Sequence, residues 1–140
     1  MNARMLLLTL LAGSVTCFAQ SNVGELQQQG GKKLSAEETK QLHAGGVTLK
    51  GQSPGGNPLA QTLKADGSVS GNIQGRLGTA GVGGIWKIDD AGKLCISVTI
   101  YGGPGGKIDT CAFIWQMADK YFSAEADDPA TKVQAHVLQR

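Results

Sequence analysis

Apolar positions along this chain change their period partway, and the change divides it. Residues 5–12 (MLLLTLLA) are almost uniformly apolar, whereas residues 21–33 (SNVGELQQQGGKK) show no apolar period. The second stretch predicts a flexible tether over 20–33. A helix follows. Ser35-Ala36-Glu37-Glu38 fits a capping box, in which the serine oxygen accepts from the amide three residues on and the glutamate reaches back. Leu34 and Leu42 can pack inward, and Ala44-Gly45-Gly46 ends the helix. His43 falls in the last turn, where a surface or capping role suits an imidazole.

From Val47 onward the period is two, the spacing of half-buried strands. Val47 and Leu49 share a face. Residues 59–64, the turn Ala65-Asp66-Gly67 and residues 68–74 read as a hairpin, because Asp-Gly supplies positive φ. Residues 85–88 and 93–100 form a second hairpin about Asp89-Asp90-Ala91-Gly92. Further strands are expected at 110–117, 121–124 and 132–138, the last with Val133, Ala135 and Val137 on one face. Residues 52–58, 75–84 and 101–109 are expected loops. Seven or eight short strands joined by turns make an antiparallel meander, which hides its edges best by curling into a barrel. The predicted fold is therefore mainly β: a small antiparallel meander barrel over 34–140, with one short N-terminal helix plugging or covering an end.

The alternation contains one conflict. Leu94, Ile96, Val98 and Ile100 make an apolar face that leaves Cys95 on the polar one, whereas Cys111 shares its face with Phe113, Trp115 and Met117. Cross-strand partners lie on one face. Either the aromatic row faces outward, or a bulge shifts one strand by a residue.

The apolar run at 5–12 is preceded by Arg4 and followed by the small and polar residues 13–19 (GSVTCFA). That is the order of a secretory signal peptide, with cleavage after Ala19, and the run is too short to span a bilayer as a helix. The rival processing is lipid attachment at Cys17, but Ser14-Val15-Thr16 departs from the usual lipoprotein signal. The expected location is periplasmic or secreted. Removal of Cys17 with the leader leaves Cys95 and Cys111, an even pair that reads as a disulfide in an oxidising compartment. Zinc would need two more ligands, and His43 and His136 are isolated.

Thirteen basic residues against eleven acidic ones, with no run of either, give no electrostatic footprint for nucleic acid or an anionic membrane. The 21 glycines lack a three-residue period, which excludes collagen, and cluster between apolar segments as turn residues do.

No motif completes a catalytic, metal or cofactor constellation. Gly51-Gln52-Ser53-Pro54-Gly55 has the pattern of a nucleophile elbow, but Gly56-Asn57-Pro58 follows where a helix would have to start. In 102–107 (GGPGGK), Tyr101 stands where a phosphate loop needs glycine and Ile108 where it needs Ser or Thr. Gly81-Val82-Gly83 meets Trp86 in place of the third dinucleotide-binding glycine. The pairs Glu37-Glu38, Asp89-Asp90 and Asp127-Asp128 are cap and turn chemistry. The aromatic side chains Trp86, Tyr101, Phe113 and Trp115 are left as candidates for a ligand or partner surface, beside their plainer reading as barrel core.

Taken in order, Leu34-Ser35-Ala36-Glu37-Glu38, Asp66-Gly67-Ser68, Gly84-Ile85-Trp86-Lys87-Ile88, Leu94-Cys95 and Cys111 resemble a family of small exported bacterial proteins of uncharacterised function. These share a short N-terminal helix, an Asp-Gly hairpin, a Gly-x-Trp strand and a Leu-Cys…Cys pair, and are considered lipocalin-like. The resemblance spans about residues 34–124 and implies the barrel and the bacterial envelope, with no activity. The expected function is an exported, non-enzymatic binding module for a small apolar molecule or an envelope protein, without a cofactor. The alternative is an inhibitor or protector protein acting on an envelope hydrolase, with 102–107 presented to its target.

Overall fold

The computed structural model describes residues 21–102 and 105–140; the expected leader, the expected cleavage after Ala19 and the fate of Cys17 lie outside the described residues. Eight strands follow the first elements of the chain: β2 (Val47–Gln52), β3 (Pro58–Leu63), β4 (Ser68–Gly75), β5 (Gly78–Ile88), β6 (Leu94–Tyr101), β7 (Gly106–Met117), β8 (Lys120–Ala124) and β9 (Gln134–Gln139). Each pairs antiparallel with the next, and β9 returns to β2. The result is a closed up-and-down barrel, as the alternation predicted. No helix among the described residues is long and apolar enough to cross a membrane.

Two expected loops are partly strand. Residues 78–84 form the first half of β5, paired with β4 and β6, and 106–109 open β7. Glycine is needed in this part of the wall because neighbouring backbones approach too closely for any side chain. A Cβ on Gly84 would lie 1.9 Å from Ser97 O, and one on Gly71 would lie 2.0 Å from Ala60 O. On the outer surface the Tyr101 ring lies over Gly83, at 3.1 Å from a Cβ placed there. What reads as loop composition is thus the composition of a tightly packed wall.

The helix α2 (Ala36–His43) closes one end of the barrel. Its capping box forms in both directions, Ser35 Oγ accepting from the Glu38 amide and Glu38 Oε2 from the Ser35 amide. Leu34, Thr39 and His43 are buried against the barrel, and Gly92 of the β5–β6 turn packs on Ala36. The interior is filled at this end and along the β4–β6 wall by Leu63, Val69, Ile73, Val82 and Val98.

The stretch read as a tether is folded. Asn22 caps a short helix, α1 (Val23–Gln28), by accepting from the Glu25 amide, and β1 (Lys32–Lys33) pairs with Gln116 and Trp115 of β7. Val23 and Leu26 are wholly buried in a second cluster with Trp115, Phe122 and Ala124, on the outside of β7 and β8. This cover settles the facing conflict. The aromatic row Phe113, Trp115, Met117 faces outward beneath α1, and no bulge is needed. Cys95 and Cys111 are direct register partners and form the expected disulfide. On β9 the predicted apolar face is the outer one: Val137 is exposed, while His136 and Leu138 turn inward.

Candidate ligand cavity

Where α2 and the β4–β6 wall leave off, the barrel interior holds a cavity of about 400 Å³, within the range of small-molecule sites. Its wall is mainly aliphatic, with Leu49, Leu59, Leu94, Ile96, Ile114 and Leu138 contributed by the five strands β2, β3, β6, β7 and β9. Gln61, Tyr121, Ser123 and His136 add polar atoms to the wall, and His43 adds one from the helix end. Gln52, Pro54, Glu125 and Lys132 lie at the opposite end, where the β2–β3 and β8–β9 connections form a mouth.

His43 departs from the surface role expected of it, being fully buried. Its Nδ1 lies 2.6 Å from Thr39 O, one helical turn back. A proton on Nδ1 makes that contact a hydrogen bond and leaves Nε2 as an acceptor, and Nε2 has no partner among the described residues. Burial lowers the proton affinity of His43, the Thr39 carbonyl raises it, and Arg140 lowers it further. His136 shares a 2.5 Å hydrogen bond with Ser123 through Nε2. Glycine at 51 makes room for this ring, since a Cβ there would lie 2.9 Å from His136 Nδ1. Burial, with His43 second, pushes the His136 pKa down to about 4.

The Ser123–His136 contact resembles the start of a nucleophile–base pair. A base of that low proton affinity is a poor acceptor at neutral pH. Its Nδ1 also faces Gly51 instead of an orienting carboxylate. What the geometry shows is one hydrogen bond between two side chains of the cavity wall. Ser53, the elbow candidate, is buried in a loop of its own: its amide donates to Asn57 O and its Oγ accepts from the Asn57 amide. Among the described residues, the one grouping of three metal-ligating side chains is Asp89, Cys95 and Cys111. Its two sulfurs are bonded to each other.

The four aromatic candidates are scattered, and none lines the cavity. Trp115 is 3% exposed beneath α1. Phe113 lies on the same outer face, with Lys33 Nζ 4.5 Å and Lys93 Nζ 5.0 Å from its ring centre. Tyr101 is exposed at the mouth end. Trp86 alone turns inward, toward the helix end, where its Nε1 donates to Lys64 O at 2.7 Å and its ring tilts against His43. The polar groups that do line the cavity left a weaker trace in the sequence. Gln61 interrupts the inward row Leu59, Leu63, and His136 precedes Leu138 by two.

In comparisons with known proteins, no family model, curated protein or solved structure matches the chain.

Proposed function

We propose that this chain is an exported, non-enzymatic binding module of lipocalin-like form that holds a small, mainly apolar molecule inside its barrel. The observation that carries this reading is the cavity itself: about 400 Å³, aliphatic over most of its wall, with a few neutral polar groups. The leader-like N-terminus and the disulfide favour a periplasmic or secreted setting. Two measurements test the proposal. The neutral apolar dye N-phenyl-1-naphthylamine should gain fluorescence on binding, and native mass spectrometry of protein purified from its own envelope should show a retained small molecule. Absence of both would overturn it.

The inhibitor reading keeps one observation in its favour. Leu77, at the tip of the β4–β5 hairpin, is 94% exposed, and Tyr101 stands exposed on the same end of the barrel. Exposed large apolar side chains on loops are what a protein partner would grip. Retention of an envelope hydrolase by the wild type, lost in a Leu77→Ser, Tyr101→Ser variant that still binds the dye, would favour this second role.

A further inference from the structure

The cavity carries more than its size. Gln61 sits on the middle of β3, opposite Leu49 and Gly71 in the sheet, and is 7% exposed. Its carboxamide lines the cavity and makes no side-chain hydrogen bond among the described residues. His43 Nε2 is a buried atom without a partner among the described residues. Buried polar groups ordinarily find partners, and one left unpaired destabilises the fold. Both groups line the same cavity, so one ligand can satisfy both.

The chemistry of the lining limits what that ligand is. A carboxamide offers donors and an acceptor, whereas His43, with Nδ1 on Thr39 O, offers only an acceptor. A hydroxyl can accept from the first and donate to the second. A carboxylate can only accept, and the charged side chains on the lining, Glu125 and Lys132, are both at the mouth. Resting on the reading of the barrel as a binding module, we propose that the cavity selects a neutral aliphatic molecule bearing a hydroxyl. The hydroxyl lies innermost at Gln61 and His43, with the hydrocarbon against the aliphatic wall.

Calorimetric titration of the full chain at neutral pH with 1-decanol, decyl methyl ether and decanoate tests this. The wild type should bind decanol on the order of tenfold more tightly than the ether, the worth of about one hydrogen bond. His43→Phe should abolish the difference while still binding both, because the ether can accept from Gln61 but has no proton to donate to His43 Nε2. The ring resonances of His43 should shift with decanol and not with the ether, an arm that holds even if His43→Phe fails to fold. Equal affinities in the wild type would overturn the hydroxyl inference and leave the binding module standing. Tightest binding of decanoate, lost in Lys132→Ala, would overturn it in favour of a head group held at the mouth. If none of the three binds and none displaces the dye, the binding module falls as well.

Discussion

Cys95 and Cys111 stand opposite each other on β6 and β7, their Cα atoms 4.0 Å apart, with the bridge on the outer wall of the barrel. Their neighbours Leu94, Ile96 and Ile114 point the other way, into the core. The bridge thus ties two strands that already pair along their length, and stabilises by closing a loop of 16 residues in the unfolded chain.

A loop of that size is worth about 3 kcal/mol. The double variant Cys95→Ser, Cys111→Ser should therefore unfold in urea with about 3 kcal/mol less stability than the oxidised wild type, and bind N-phenyl-1-naphthylamine with unchanged affinity. Two thiols titrating in the native wild-type protein would refute the pairing. Cys111 lies on the cavity lining, so an affinity that falls while the variant remains folded would mean that the bridge shapes that wall.

Trp115 belongs to the outer cluster that α1 covers, so its removal should be felt as lost packing. Trp115→Ala should cost about 3–5 kcal/mol, and amides of α1 should exchange faster with solvent because their helix loses its seat. Dye binding at a temperature where the variant is folded should match the wild type. Reduced affinity with undiminished stability would instead place Trp115 in the ligand site.

The barrel was legible because its hairpins carry local signals. Asp66-Gly67 and the alternations at 59–64, 68–74 and 93–100 each specify a strand pair without reference to the rest of the chain. The capping box at Ser35 did the same for α2. Three features needed the whole fold. Helix α1 has only Val23 and Leu26 to bury, too few for a period to show, and it finds its partner near residue 115. The glycines of β5 read as loop because their use, close approach of Gly84 to Ser97 and of Tyr101 to Gly83, is a contact between strands. His43 carries no mark of burial in its own helix; the barrel end beneath α2 buries it. The cavity was legible least of all. It arises from which inward positions are left short of volume, and Trp86, Tyr101, Phe113 and Trp115, the residues most conspicuous in the sequence, are not on its lining.

The two kinds of glycine in β5 should separate cleanly. Gly84→Ala forces a methyl to within 1.9 Å of Ser97 O, so backbone must move, and the loss should be about 3 kcal/mol or more. At Gly81 the nearest atom to an added Cβ is Tyr101 Cδ2 at 4.0 Å, ordinary contact. Gly81→Ala should change stability by less than about 1 kcal/mol, favouring the fold if anything, because the unfolded chain loses freedom. Urea unfolding of the two variants side by side measures the contrast. Similar losses would mean that the β5–β6 packing is not what requires glycine at 84.

The last prediction concerns acid. In the folded barrel the His136 pKa is pushed from 6.5 down to about 4, by burial first and by His43 second. Above pH 6.5 the ring is neutral in both folded and unfolded chains, and its contribution to stability does not vary. As pH falls from 6.5 toward 4, the unfolded chain takes up a proton that the fold refuses, so stability is lost through this window. The full loss is about 3 kcal/mol for this one ring, and His43, shifted in the same direction by burial, adds to it. The exposed carboxylate of Glu38, held down to about 2 by Lys32 and the Ser35 amide, acts in a lower window. Its contribution is present above pH 4.5 and lost as pH falls toward 2. The two can therefore be told apart. Urea unfolding at pH 7, 5.5 and 4.5 should show the wild type weakening at each step. His136→Gln, which retains a partner for Ser123, should weaken less over that range and resemble the wild type below pH 4. An equal slope in the variant would mean that His136 is protonated as readily in the fold as outside it, and that the cavity wall around it is open to water.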